Sequence, residues 1–354
     1  MHKIQSTIEL SKLNKIYHVS DIHIRNFKRH DEYNRVFERL YSYIRDTYTD
    51  DSLIVLTGDI VHSKTDVTPE LVEMVHTFLR NLCSIGKVLM IPGNHDANLN
   101  NAHRMDALTP IVNALNEPNL LYVKDTCHFK IANRTFVHWS VFDKEDKYVK
   151  AEKIKGDYKI ALFHGPVTGV QIRENAQLLD QNLNISDFEG FDIGLLGDIH
   201  TRQFLDGENT IGYPGSLIQQ NHGEMIGKGI YVWDLENKKA EYVEIENDTA
   251  FYTINVYTGV YDPIPSYLPQ NLYLRVRYKN TTQSVIKDIV SIVKQTRNVV
   301  ESSIQKVNDF SNTETGEKRL HNIDVRDVTY QNTILTSFLE TTFGEDIELS
   351  LIHI

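Results

Sequence analysis

Apolar residues recur with two different periods along the first 90 residues, and this alternation predicts strands and helices in turn. Short apolar runs over residues 15–22, 53–57 and 87–91 predict strands. Thr68 and Pro69 predict the N-cap and first position of a helix between the second and third strands. The segment between the first two strands has apolar residues on one helical face, namely Tyr33, Val36, Phe37, Leu40, Tyr41 and Ile44. This order is typical of crossovers in a layered α/β fold.

The following part of the chain predicts further strands. Apolar runs cover residues 135–141, 159–163 and 192–196, and residues 229–233 and 240–245 indicate a closing hairpin. We therefore expect an α/β fold in which a two-sheet β-sandwich is flanked by helices.

A change of pattern near residue 249 predicts a small second domain. Prolines 263, 265 and 269 indicate a linker or irregular loop, and residues 272–279 alternate as in a half-buried strand. A helix around residues 285–293 and a strand around 299–307 would complete a β-α-β unit. We divide the chain into a main domain, an α+β domain and a C-terminal tail, with bounds 1–248, 249–328 and 329–354.

Metal-binding side chains directly follow five of the predicted apolar runs. Because parallel strands present their carboxyl ends at one edge of a sheet, these groups should converge there. Asp, Asn and His without thiolate suit Mn²⁺, Fe²⁺ or Zn²⁺ at a hydrolytic site, and their number is sufficient for two ions. Two close ions are a common device for hydrolysing phosphate esters. The five segments are Asp21-Ile22-His23, Gly58-Asp59, Gly93-Asn94-His95-Asp96, His164-Gly165 and Gly197-Asp198-Ile199-His200.

The composition of the chain bears on its cellular location and on its affinity for nucleic acids. The chain has 354 residues, of which 41% are apolar and 24% are charged, so it can bury a sizeable core. Cys83 and Cys127 are too few for a disulfide framework, and no apolar run resembles a secretory signal or a membrane span. We expect a cytoplasmic protein with no membrane association, in the host cytoplasm if it is encoded by a phage or virus. The net charge of −11 argues against generic affinity for nucleic acids.

The order of the five segments resembles that of the calcineurin-like metallophosphoesterases. Within them, the chain is similar over residues 15–310 to the DNA double-strand-break-repair nucleases of the SbcD and Mre-eleven type, including their phage- or virus-encoded homologues. Gly58-Asp59-Ile60-Val61-His62 has a histidine three residues after Asp59, where Ser/Thr protein phosphatases continue G-D-x-x-D-R-G. Tyr213-Pro214-Gly215-Ser216 with Gly223-Glu224 is similar to the P-G-S…E segment of SbcD-type proteins. The β-α-β unit lies where that family has its DNA-capping domain.

This resemblance implies a role for each of the metal-binding residues. One ion would be held by Asp21, His23 and His200, and Asp59 would bridge the two ions. The second ion would be held by Asn94, His164 and Asp198.

The resemblance also implies roles for the neighbours of these ligands. His95 would lie beside the scissile phosphate and protonate the leaving oxygen. Asp96 would orient His95 or a ligand without binding an ion. Asp198 departs from the G-H-x-H order of the cellular enzymes, and this change bears on metal preference more than on activity.

Several basic residues near the first two motifs have two interpretations. His62 is either a solvated loop residue or a contact to DNA. Arg25, Lys28 and Arg29 form a basic run that is either an exposed entrance to a helix or a set of phosphate contacts.

The leading functional hypothesis is a Mn²⁺-dependent DNA nuclease, with exonuclease or endonuclease activity, in DNA repair, recombination or replication. Mg²⁺, Fe²⁺ and Zn²⁺ are alternative metals. The resemblance implies a homodimer that acts with an ATPase of the SbcC or Rad-fifty type, and residues 330–343 offer it one amphipathic helix. We expect the isolated chain to bind duplex DNA weakly and with a shallow salt dependence. The alternatives are a phosphatase or nucleotide phosphodiesterase on small substrates and, less favoured, a non-enzymatic scaffold.

Overall fold

The computed structural model of the protein describes residues 8–307, apart from Asn100, Ala102, His103, Glu174 and Asn175. The predicted tail, and residues 308–328 of the predicted second domain, lie outside the described residues. The helices are α1 (His30–Thr47), α2 (Pro69–Ile85), α3 (Thr109–Leu115) and α4 (Gln283–Thr296), with 3₁₀ turns at Glu145–Lys147, Ala151–Lys153 and Ile185–Phe188. The strands are β1 (Lys15–Val19), β2 (Ser52–Thr57), β3 (Val88–Ile91), β4 (Leu120–Tyr122), β5 (Cys127–Ile131), β6 (Arg134–Trp139), β7 (Lys159–His164), β8 (Gln171–Arg173), β9 (Ala176–Gln177), β10 (Ile193–Gly197), β11 (Gln203–Phe204), β12 (Ile211–Tyr213), β13 (Gly229–Asp234), β14 (Lys239–Glu244), β15 (Thr249–Tyr257), β16 (Asn271–Lys279) and β17 (Asn298–Lys306).

Two six-stranded sheets form the main body of the protein. The first has the order β14-β13-β1-β2-β3-β4, and the second has the order β11-β12-β10-β7-β6-β5. Strands β1 to β4 run parallel, as do β6, β7, β10 and β12, whereas the hairpin of β13 and β14 joins β1 antiparallel. The predicted α/β fold with a two-sheet sandwich and flanking helices is confirmed.

Successive side chains of each strand point to opposite faces of its sheet, so the core consists of separate apolar layers. On β2, Leu53 and Val55 face the apolar layer between the sheets, together with Leu195 of β10. Their neighbours Ile54 and Leu56 pack in the layer that also contains the apolar faces of α1 and α2. A third layer covers the other face of the second sheet and includes Trp139. Because both faces of β2 pack in apolar layers, a shift of its register would force the side chains on both faces to repack, and this fixes the position of the loop that follows it.

The start of α2 matches its sequence signals. Thr68 has an extended backbone conformation, and its hydroxyl accepts a hydrogen bond from the Leu71 amide at 3.4 Å, while Pro69 occupies the first helical position. Helix α1 begins differently, because Arg29 precedes it in the left-handed conformation with φ of 68° and makes no side-chain cap.

The C-terminal strands form a separate three-stranded sheet in the order β15-β16-β17. The predicted strand, helix and strand are present as β16, α4 and β17, whereas β15 is not among the predicted elements. Helix α4 buries Ile286, Ile289 and Val293 on one face. The described residues divide into two compact units, of which the second comprises residues 253–263, 275–293 and 302–307.

Candidate metal centre

The carboxyl ends of five parallel strands deliver all seven predicted ligands to one place. Strands β1, β2 and β3 of the first sheet are followed by the loops that contain Asp21 to Asp96, and β7 and β10 of the second sheet end at His164 and before Asp198. Because the two sheets pack face to face, the loops of both meet at the same edge. The residues that meet there are Asp21, His23, Asp59, Asn94, His164, Asp198 and His200.

The first donor group contains His23, His200, Asp21 and Asp59. The Nε2 atoms of His23 and His200 lie 2.9 Å apart. Asp59 Oδ2 lies 3.4 Å from His23 Nε2, and Asp21 Oδ1 lies 3.9 Å and 3.8 Å from the two imidazole nitrogens. These separations match those expected between ligands of one cation at bond lengths of about 2.0–2.2 Å.

The second donor group contains His164, Asp198, Asn94 and the other oxygen of Asp59. His164 Nε2 lies 3.3 Å from Asp59 Oδ1 and 3.7 Å from Asp198 Oδ1. The amide nitrogen of Asn94 donates to Asp198 Oδ1 at 3.2 Å. Asp59 therefore directs one carboxylate oxygen to each group, an arrangement in which one carboxylate can bridge two ions.

Unpaired atoms of two of these ligands fit a divalent cation at the second donor group. Asn94 Oδ1 and His164 Nε2, both of which face the second donor group, are buried and have no hydrogen-bond partner within the part of the chain that the structure describes. Leaving such atoms unpaired costs free energy unless another group binds them. Oxygen and imidazole donors are those that Mn²⁺, Fe²⁺ and Zn²⁺ accept.

The electrostatic environment of the site is strongly acidic. Burial acts to lower the pKa of His164, but the carboxylates of Asp59, Asp21 and Asp198 hold it well above its usual value. Burial raises the pKa of Asp198 to about 6. A cation would compensate this concentration of negative charge.

The backbone at these loops has an uncommon conformation. Asp21, His23, Asp59 and Asp198 have positive φ values of 51°, 52°, 53° and 93°. Such conformations are unfavourable for residues with a side chain and occur mainly where the surrounding structure imposes them, often at functional sites. Gly197 is required for close approach, since a Cβ atom there would overlap the carbonyl oxygen of Thr57.

His164 and His200, the ligand histidines at or just after the ends of strands of the second sheet, are oriented by different partners. His164 Nδ1 donates to the carbonyl oxygen of Thr57 at 2.6 Å, so its Nε2 faces the second donor group. His200 Nδ1 donates to Glu224 Oε1 at 2.8 Å, so its Nε2 faces the first. Hydrogen bonds of this kind fix the tautomer of a metal-binding histidine and make it a stronger ligand.

Glu224 is the residue at this site that sequence reasoning did not assign. Besides His200, its carboxylate accepts from Ser216 Oγ at 2.9 Å and pairs with Lys228 Nζ at 2.9 Å. These partners, above all the hydrogen bond from His200, outweigh the effect of burial and lower the pKa of Glu224 to about 2. The only sequence signal was the resemblance of residues 213–224 to the P-G-S…E segment, and the structure shows that this segment supports His200.

His95 and His62 lie beside the ligands. His95 Nδ1 donates to the carbonyl oxygen of His62 at 2.7 Å, and the His95 ring lies 4.7 Å from that of His23. The His62 ring is 5.7 Å from both His23 and His95. Burial and the nearby Arg25 charge lower the pKa of His62 to about 4, so His62 is neutral at pH 7.

Asp96 acts on the loops rather than on an imidazole. Its two oxygens accept hydrogen bonds from the backbone amides of Ile60, Val61 and Gly93 at 3.3, 2.9 and 2.8 Å. Asp96 therefore joins the loop of Asp59 to the loop of Asn94 and His95, and contacts neither imidazole nor ligand side chain through these bonds. Its predicted role in orienting His95 is thus indirect.

The predicted basic run separates into three different environments. The hypothesis that Arg29 contacts phosphate is wrong. Its side chain is only 4% exposed and forms a two-bond ion pair with Glu32 at 2.7 and 2.8 Å. The ring of Phe251 also covers the Arg29 guanidinium at 4.9 Å. Arg25 is half-buried and donates weakly to Gln220, whereas Lys28 is exposed.

Comparison with known proteins gives two findings. A family model described as calcineurin-like phosphoesterase matches residues 14–204, which is more than half of the chain. The chain is also 39% identical over 294 residues to an uncharacterized protein, R555, of Acanthamoeba polyphaga mimivirus. That alignment covers 79% of this chain but 22% of the viral protein, so the chain spans about a fifth of the length of this relative. Among the described residues, no helix has the length and apolar character needed to cross a membrane.

Proposed function

Because the chain belongs to the calcineurin-like phosphoesterases, a family of metal-dependent hydrolases of phosphoester bonds, we propose that its substrate is DNA. The proposed activity is that of a nuclease of the SbcD and Mre-eleven type, which cleaves phosphodiester bonds. The single observation that carries this proposal is the position of His62 beside His95 and the first donor group.

His62 supports a diester substrate for two reasons. Ser/Thr protein phosphatases have a different residue pattern after the bridging Asp, with a cationic Arg suited to a phosphate monoester dianion. The neutral His62 ring instead offers a hydrogen bond and a flat apolar face to a substrate that carries one charge per phosphate.

The residues of the site would have different roles in hydrolysis. Asp21, His23 and His200 would hold one cation, Asn94, His164 and Asp198 would hold the other, and Asp59 would bridge them. Two such cations polarise the phosphoryl oxygens and lower the pKa of water for in-line attack. The carboxylates and imidazoles fix where the phosphate can bind.

His95 is the proposed catalytic acid. Its Nδ1–H bond to the His62 carbonyl fixes the ring and leaves Nε2 as the atom that can hold a proton for the leaving oxygen. The His95 backbone amide also donates to Asp59 Oδ1 at 2.8 Å, so the acid and the bridging ligand are positioned by one loop.

The finer assignments belong to the same proposal. Mn²⁺ is the proposed metal, because the site is rich in oxygen donors. A homodimer, an ATPase partner of the SbcC or Rad-fifty type, a role in DNA repair, recombination or replication, and a location in the host cytoplasm are proposed from the resemblance. The viral relative supports the last of these.

Cleavage assays on three substrates test the proposal. With Mn²⁺ present, the chain should cleave linear duplex or single-stranded DNA, and His62→Ala should reduce DNA cleavage more than hydrolysis of p-nitrophenyl phosphate. His128→Ala, which removes an exposed histidine of β5 outside the site, is the matched control. Hydrolysis of p-nitrophenyl phosphate with no cleavage of either DNA would contradict the proposal and favour a phosphatase of small substrates. No metal-dependent hydrolysis of any substrate would favour a scaffold.

A further inference from the structure

The two donor groups of the metal centre differ in chemistry. The first offers two imidazole nitrogens, from His23 and His200, and carboxylate oxygens from Asp21 and Asp59. The second offers one imidazole nitrogen, from His164, and oxygens from Asn94, Asp198 and Asp59. The difference arises at position 198, where an imidazole would have made the nitrogen content of the two groups equal.

The structure holds Asp198 firmly in this place. Its backbone amide donates to both carboxylate oxygens of Asp21 at 3.1 Å, and its φ of 93° turns the side chain toward His164. Asn94 donates to the Asp198 carboxylate from the other side. The carboxylate is 19% exposed, so it lies at the edge of the cluster with two neighbours that are themselves donors to the second cation.

Oxygen donors and imidazole donors select different cations. Carboxylate, carbonyl and water ligands suit Mg²⁺ and Mn²⁺, whereas imidazole suits Zn²⁺ and Fe²⁺. A third carboxylate in the cluster, besides Asp21 and Asp59, also adds a negative charge, which favours a strongly hydrated cation that keeps its water ligands.

We infer that Asp198 makes the two cation sites unequal in metal preference. The second site prefers Zn²⁺ over Mn²⁺ or Mg²⁺ less strongly than the first site does, so excess Mn²⁺ displaces Zn²⁺ from the second site before it displaces Zn²⁺ from the first. The centre therefore assembles as a mixed pair when Mn²⁺ is in excess over Zn²⁺. This inference rests on the metal centre of the proposed function but not on its DNA substrate.

Equilibrium dialysis without substrate tests this inference. The full chain is dialysed against excess Mn²⁺ with enough Zn²⁺ to fill both sites, and bound metals are counted by elemental analysis. The natural chain should retain one Zn²⁺ and one Mn²⁺, and Asp198→His should retain two Zn²⁺. Asp198→Asn, which keeps an oxygen ligand without the charge, should hold less Mn²⁺ and no second Zn²⁺. Circular dichroism checks that each variant folds.

Two results would overturn the inference. Uptake of two Zn²⁺ by the natural chain would show that Asp198 does not discriminate, and an unchanged Zn²⁺ to Mn²⁺ ratio in Asp198→His would show that it is not a ligand. The same preparations are assayed on DNA with Mn²⁺ alone. One bound Zn²⁺ and one bound Mn²⁺ without DNA cleavage would refute the proposed nuclease activity but not this inference. DNA cleavage by a chain whose two sites have the same metal preference would refute this inference but not the nuclease activity.

Discussion

His164 and His200 present the same ring nitrogen to the metal centre, but the protein orients them in different ways. His164 is held by the main-chain carbonyl of Thr57, at the buried end of β2. His200 is held by the carboxylate of Glu224, a side chain in a loop 24 residues further along the chain. The first arrangement is a consequence of the sheet, whereas the second depends on one replaceable side chain.

This difference shows where the centre is vulnerable. No substitution of Thr57 removes its carbonyl, so the second site loses His164 only if β2 itself moves. The first site can lose its support through Glu224, Ser216 or Lys228, each of which lies outside the five metal motifs. Four substitutions test the comparison, and they are taken in decreasing order of the effect on metal binding and hydrolysis that we expect.

Asp59→Ala removes the one ligand that both sites share. Because each oxygen of Asp59 faces a different donor group, we expect loss of both ions and of hydrolysis together. Elemental analysis and a cleavage assay on the same preparation measure the two losses. Two ions bound to the Asp59→Ala variant would contradict the assignment of the site.

His95→Ala should remove catalysis while leaving all three histidine ligands in place. The His95 ring donates to a backbone carbonyl, and the backbone amide that donates to Asp59 remains in the variant, so metal content should stay nearly unchanged. The rate of phosphodiester cleavage should fall about 10²–10⁴-fold, as for other general acids. Single-turnover rates with saturating Mn²⁺ give the measurement, and a proportional loss of bound metal would show that His95 is itself a ligand.

Glu224→Ala should separate the two sites. Loss of a hydrogen-bond partner behind a metal-binding histidine typically costs about 10–100-fold in affinity, and here only the first ion should weaken. Glu224→Gln keeps an acceptor for His200 and should recover part of the affinity. Titration calorimetry with Mn²⁺ resolves the two binding steps. The matched control is Glu236→Ala, which removes a surface carboxylate that pairs with Lys12. Equal weakening of both ions would refute the separation.

Thr57→Val should have the smallest effect on metal binding. The Thr57 hydroxyl lies 3.0 Å from His18 Nε2 inside the sandwich, and its loss should destabilise the fold by about 1–3 kcal/mol. The carbonyl that holds His164 remains, so both Mn²⁺ affinities should match those of the natural chain. Urea unfolding and calorimetry together check this. A specific loss of the second ion would mean that the hydroxyl, not the carbonyl, positions His164.

The sequence predicts the regular part of the fold well and the short or exposed part poorly. Helices α1 and α2 and strand β2 were found because their apolar spacing continues over several turns or is uninterrupted. Helix α3 has only seven residues, and β5 alternates half-exposed with exposed positions until its last residue. Such elements bury too little apolar surface to produce a clear period, so tertiary contacts determine them.

The candidate site likewise has residues that the sequence predicts and residues that it does not. The ligands could be predicted because each directly follows an apolar strand. Glu224 and the burial of Arg29 could not, because His200 lies 24 residues from Glu224, the Phe251 ring that covers Arg29 is still further along the chain, and neither pair follows a period. The Arg29 guanidinium is neutralised by Glu32 but covered by Phe251, more than two hundred residues away. The basic run before the helix therefore predicts exposed side chains, whereas Arg29 is buried.

Anomalous diffraction from crystals of the chain grown with Mn²⁺ would locate the bound cations themselves. We expect two peaks, one on each side of the Asp59 carboxylate. One peak should lie within bonding distance of His23 and His200 Nε2, and the other within bonding distance of His164 Nε2 and Asp198. A single peak, or two peaks with the Asp59 carboxylate turned away from either, would contradict a two-cation centre built by these strands.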